Sequence, residues 1–119
     1  MRINTSQSGR QEAIDELLKL ESDDLYANFA KDIGDLSAID DAKSLVDNWI
    51  NDREEWLRRE ICNKHHYCEF VLNNKNLKQV SIITAVADTI APLIGGIPIN
   101  TLAVLLVQYY LDDICACET

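Results

Sequence analysis

The sequence predicts an all-α fold: a bundle of about five helices with a long amphipathic helix and a very apolar C-terminal helical hairpin. Three observations lead there. Apolar residues recur at three- and four-residue spacing along most of the chain. Only four glycines and two prolines interrupt 119 residues, so long helices are easily written. Residues 80–111 are almost wholly apolar, Asp88 being their single formal charge. Gly95, Gly96, Ile97 and Pro98 divide that stretch into two helices and a turn.

A chain this long makes one domain and buries roughly two-thirds of its unfolded surface, enough for its own core. Residues 1–8 carry no pattern and are expected to be flexible, leaving a single helical domain over residues 9–119. Within it the acidic helices span 9–36, the long helix 37–72 and the apolar hairpin 77–117.

Ser8 and Gln11 have the spacing of a capping box. A helix continues through residues 12–21 with Ile14, Leu17 and Leu18 on one side and an Asp15–Lys19 pair on its surface. Leu25, Phe29, Ile33 and Leu36 repeat the spacing, and Gly34 suits the end of that helix. Ser37 opens the long helix, with Asp40 in its first turn. Its stripe holds Ile39, Ala42, Leu45, Val46, Trp49, Ile50, Trp56, Leu57 and Ile61, interrupted by Arg53. The same line continues through His65, Cys68 and Leu72. Asn76, with Gln79 three positions on, is set to cap the next helix. That helix carries Asp88 on a small polar stripe, open to water or paired with Arg53. Asn100 or Thr101 is expected to cap the last helix. Between residues 102 and 111 only Gln108 is polar, so this helix belongs at the centre of the bundle.

Net charge is −9 and unevenly spread. Residues 1–52 hold five Lys/Arg against twelve Asp/Glu, residues 53–78 hold six against four, and residues 79–119 hold four acids and no base. The acidic N-terminal half repels phosphate backbones, which argues against nucleic acid. There is no glycine-rich phosphate loop, no dinucleotide fingerprint and no HExxH. Nothing therefore implies a small-molecule substrate.

Cysteine and histidine are clustered. Cys62, His65, His66 and Cys68 fall close together, and Cys115 and Cys117 come just before the end of the chain. Residues 1–9 lack the apolar core of a secretory leader, so a reducing cytoplasm is expected and the cysteines read as thiols. In an up-down-up arrangement the long helix and the last helix end on the same side. Four ligands drawn from Cys62, His65, His66, Cys68, Cys115 and Cys117 could there hold a tetrahedral zinc ion. A cysteine nucleophile beside His65 or His66 lacks an orienting third residue.

Residues 89–111 are uncharged and long enough to raise the question of a membrane span. Each half beside the Gly-Gly turn is too short to cross a bilayer alone, so a buried hairpin is the expected outcome. The functional expectation is a non-enzymatic, acidic protein-interaction module without a cofactor, an accessory, regulatory or immunity-type subunit that binds a larger protein or itself. Trp49, Trp56, Tyr109 and Tyr110 are its candidate contact residues. A membrane-active helical hairpin and a zinc-stabilised domain are the alternatives.

Overall fold

The computed structural model describes residues 8–33 and 39–117, and among them every regular element is helical. The elements are α1 (Ser8–Leu18), α2 (Ser22–Ile33), α3 (Ile39–Asp52), α4 (Glu54–Leu57), a π-helical segment Arg58–Asn63, and α5 (Tyr67–Asn73). They continue with α6 (Gln79–Ile90), α7 (Ile99–Leu105), a second π-helical segment Leu106–Tyr110, and α8 (Leu111–Ile114). Gly34 and Ser37, expected as a helix end and a helix start, and residues 1–7 lie outside the described residues.

The apolar C-terminal hairpin forms as its pattern requires. In α6, Ile82, Ile83, Ala85, Val86, Ala87 and Ile90 are buried, and in the last helix residues 102–106 are completely so. The Thr84 and Thr89 hydroxyls donate to the carbonyls of Val80 (2.7 Å) and Ala85 (2.8 Å), which satisfies them inside the helix. Gly96 turns the chain with φ of 77°. A Cβ there would meet nothing within 4 Å, so glycine is needed for its dihedral freedom and not for space.

Around α7 the other helices assemble. α6 packs along it as the second arm of the hairpin, α1 lies across both arms, and α2, paired with α3, covers another side. Ile14, Leu25, Phe29, Ala42, Val46, Ile50, Leu57 and Ile61 supply the matching apolar faces. No helix among the described residues is long and apolar enough to cross a membrane.

The stretch expected as one helix over 37–72 is broken three times. At Arg53 the backbone leaves helical geometry (φ −113°, ψ 10°). Its N–H bonds to Ile50 O at 3.0 Å in place of the Trp49 carbonyl four residues back. The Arg53 guanidinium takes that carbonyl itself, Nη1 to Trp49 O at 3.0 Å, and lies over the Trp49 ring at 4.0 Å. The side chain thus replaces the backbone donor at the break. The chain then widens into the π turns of residues 58–63, marked by Lys64 N–H bonding to Arg59 O five residues back. It stops completely at His66, whose φ is 50°.

Several caps and pairs differ from their sequence reading. Lys78 occupies the start of α6 and Pro98 that of α7, neither with a side-chain cap, so Asn76, Asn100 and Thr101 do not act as caps. Lys19 bonds Glu16 at 3.0 Å instead of Asp15. Asp88 is paired with Arg10 of α1 at 3.1 Å, and not with Arg53 or with water alone. Both side chains are about three-quarters buried (26% and 27% exposed). Arg10 Nη1 makes no hydrogen bond of good geometry, so this contact acts through charge. Asp88 is the formal charge of the apolar stretch, and α1 crosses it at the point where a cation is needed.

Replacing Leu105, fully buried on the central helix, by alanine is expected to cost about 3 kcal/mol and lower the melting temperature by roughly 10 °C. Denaturant and thermal unfolding followed by circular dichroism check this, and a loss under about 1 kcal/mol would remove α7 from the centre of the core.

Candidate functional site

Three arrangements of side chains stand out once the chain is folded. They are a corner of four sulfurs, a tyrosine–aspartate chain and a surface groove.

The corner is formed because α5 and the end of the last helix lie on the same side of the bundle, in keeping with the up-down-up arrangement. Its chemistry differs from the sequence expectation. Cys62 is joined to Cys115 and Cys68 to Cys117 by disulfide bonds, with both Cα pairs 5.3 Å apart. None of the four is a free thiol. In this form the sulfurs carry no thiolate for zinc or for nucleophilic attack. Among the described residues no group of three or more His, Cys, Asp or Glu side chains is placed to hold a metal ion. Sequence reasoning takes the cysteines as thiols because it fixes the compartment first. The spacing shows only that Cys62 and Cys68, on one stretch, cannot bridge each other, and it leaves the partners open.

Basic residues attend this corner. Arg58 Nε donates to Ile114 O at 3.1 Å, placing a guanidinium at the carbonyl end of the last helix, where Asp112 and Asp113 lie against its dipole. Cys68 Sγ lies 3.6 Å from Cys115 O, a close contact and not a hydrogen bond, since a disulfide sulfur has no proton. Tyr67 is buried beside it. Burial first, then the charge of Asp112, pushes its phenol up to about 12.

The second arrangement ties α2, α3 and the second π segment together. Tyr110 donates its hydroxyl proton to Asp47, and Tyr26 OH lies 3.0 Å from Tyr110 OH. Tyr110 has one proton, so Tyr26 is the donor in that second bond. Burial first, then the bond to Asp47, raises the Tyr110 phenol well above its usual range. Lys43 completes the chain with an ion pair to Asp47 at 3.4 Å.

The groove runs between the Arg53–Lys64 side of the bundle and the C-terminal end of α6. Its polar end, about 510 Å³, is lined by Glu60, Lys64, His65, Ala85, Asp88, Thr89, Pro92 and Leu93. Its apolar end, about 400 Å³, is lined by Arg53, Trp56, Leu93, Ile94 and Gly95. Leu93 lines both. Glu60 is buried, with Lys64 Nζ at 3.0 Å and Arg59 Nε at 3.7 Å. Burial is the main reason that His65 titrates below its usual range, so it is neutral at pH 7. The Thr89 hydroxyl is engaged by Ala85 O.

The expected contact residues do not form one surface. Trp49 packs edge-on against Phe29 (5.2 Å) and beneath Arg53. Tyr110 is held by its hydroxyl. Tyr109 is 44% exposed, 6.0 Å from the Tyr26 ring. Only Trp56 lines the groove. Leu93 is 47% exposed, although the uniform apolarity of residues 80–111 groups it with the buried hairpin. Its place just before the Gly-Gly turn is the signal that sets it apart.

Two outcomes check this picture. Closing a loop with a sequence separation of 53 or 49 residues is worth about 4 kcal/mol. The second bridge then closes only a short ring and adds about 2.5 kcal/mol. A Cys62→Ser/Cys115→Ser protein should therefore lose about 2.5 kcal/mol, and the protein lacking all four cysteines about 6.5 kcal/mol, in denaturant titration. Tyr67 keeps its proton in the folded protein after the unfolded chain loses it at the ordinary value of 10. Its contribution is thus complete below pH 10 and lost as pH rises towards about 12. Stability should fall across that window, and less steeply in Tyr67→Phe; equal slopes would place the loss elsewhere. Compared with known protein families, curated proteins and solved structures, the chain matches none.

Proposed function

We propose that this chain is a non-enzymatic protein-interaction module, an accessory, regulatory or immunity-type subunit whose groove receives a segment of a larger partner. The observation that carries this reading is the groove's construction. Trp56, Leu93 and Ile94 offer an apolar seat at one end, while Glu60 and Asp88 line the other as carboxylates shared with Lys64, Arg59 and Arg10. Trp and Arg are enriched among binding hot spots, and Trp56 and Arg53 both line this end. The fitting occupant is an amphipathic segment with one large apolar anchor and a nearby lysine or arginine. The net charge of −9 favours such a basic partner by steering its approach.

The sulfurs bear on the compartment. Two disulfides suit an oxidising environment, whereas the cytoplasm expected from the sequence would hold four thiols.

Peptide display against the oxidised protein tests the proposal. Enriched peptides should combine Leu, Phe or Trp with Lys or Arg. Leu93→Gln, a change at an exposed site, and Trp56→Ala should each weaken the best peptide by about 30-fold, while Tyr109→Ala leaves it within about twofold. Peptides that bind Leu93→Gln and Trp56→Ala as well as the parent protein, or failure to enrich any, would overturn the reading.

A further inference from the structure

The described chain has two non-glycine residues with positive φ, His66 at 50° and Ala116 at 53°. His66 stands between Cys62 and Cys68, and Ala116 between Cys115 and Cys117. Left-handed backbone costs an ordinary L-residue about 1–2 kcal/mol, and it persists where the surroundings leave no other choice. Ala116 closes α8 as a left-handed helix cap, its N–H bonding to Asp113 O and that of Cys117 to Asp112 O, whereas His66 precedes α5 on the segment between the two bridged cysteines. α5 packs mainly on the π segment before it, and α8 on the π segment before it. The covalent bonds are therefore the principal tie between α5 and the chain beyond Ile114.

The same corner borders the groove. Lys64 and His65, which line its polar end, come two and three residues after Cys62 on the segment that the bridges hold. We propose that the corner is a thiol–disulfide exchange site for a dithiol reductant, and that its redox state sets the shape of the groove's polar wall. The coupling to binding rests on the groove reading above; the exchange chemistry does not.

The charges decide which sulfur is attacked. Residues 58–69, which hold Cys62 and Cys68, carry Arg58, Arg59 and Lys64 against Glu60 and Glu69, whereas residues 111–117 carry Asp112 and Asp113 and no base of their own, Arg58 reaching them at Ile114 O. Positive surroundings stabilise a thiolate and make it the better leaving group. The reductant's thiolate therefore bonds to Sγ of Cys115 or Cys117. The electron pair of the broken S–S bond leaves on Cys62 or Cys68, which takes a proton from water. The reductant's second thiol then attacks its own sulfur in the mixed disulfide and closes the reductant's ring. That releases Cys115 or Cys117, which is protonated in turn. Each bridge gains two electrons and two protons, and each dithiol becomes a disulfide. With both bridges open, His66 is free to leave the left-handed region. The segment bearing Lys64 and His65 loses its anchor.

Glutathione tests the chemistry, because a monothiol cannot close a ring of its own and rapid acid quenching traps it on the sulfur it attacks before the freed cysteine returns. Limited treatment of the folded protein, alkylation and peptide mapping should find glutathione on Cys115 or Cys117 and alkyl groups on Cys62 or Cys68. Full reduction with excess dithiothreitol should raise hydrogen exchange in residues 64–73 and 111–117 while α1, α6 and α7 stay protected. It should also weaken a groove-binding peptide by about tenfold. Glutathione found on Cys62 or Cys68, bridges that resist dithiothreitol until helical signal is lost, or exchange rising throughout the bundle would each overturn the exchange site. Unchanged peptide affinity on reduction would overturn its coupling to the groove. A peptide that never binds the oxidised protein defeats the groove reading alone, since adduct mapping and hydrogen exchange need no ligand.

Discussion

The constraint on which the structure depends is the burial of residues 102–106. Five consecutive side chains with no solvent exposure mean a helix covered on every side. A helix has room for several neighbours around its circumference, and α1, α2 and α6 occupy those places on α7. At about 1.5–3 kcal/mol for each large apolar side chain, this stretch is a major source of stabilisation. The position of α1 is a consequence, because it must cover both arms of the hairpin and deliver Arg10 to Asp88. The acidic surface is another, since the charges are left to the faces turned away from α7.

The irregular elements place the functional features. A continuous helix over 37–72 would present one face throughout. The break at Arg53 and the π turns of residues 58–63 change the phase of the chain, so that Leu57 and Ile61 remain in the core while Trp56 turns to the groove. A π turn holds an extra residue and rotates the helix beyond it. The second π segment does the same in the last helix. Leu105, Leu106 and Leu111 are buried, Tyr109 faces out, and Tyr110 reaches Asp47. Neither π segment has a local signature such as proline or glycine, which is why helical spacing alone runs straight through them.

The sulfur corner shows how reading the cysteines as thiols propagates. Helix direction is legible, and it brings residues 62–68 and 115–117 together. The oxidation state is not a property of spacing. Four cysteines on two converging segments of chain fit a metal site or two bridges equally well until the Cα separations are known. At 5.3 Å for both pairs, the bridged form needs no backbone movement.

By itself the sequence determined the helical class, the apolar hairpin with its Gly96 turn and the central place of the last helix. These depend on hydrophobic periodicity and on the steric freedom of glycine, both local properties written in neighbouring residues. Only the tertiary structure decided that Asp88 meets Arg10, that Tyr110 meets Asp47, that Leu93 faces the Trp56 groove and that the cysteines pair as 62 with 115 and 68 with 117. Each of these joins residues far apart in the chain. Their meeting depends on how helices cross and on where π turns reset the phase, and no window of neighbouring residues contains that information.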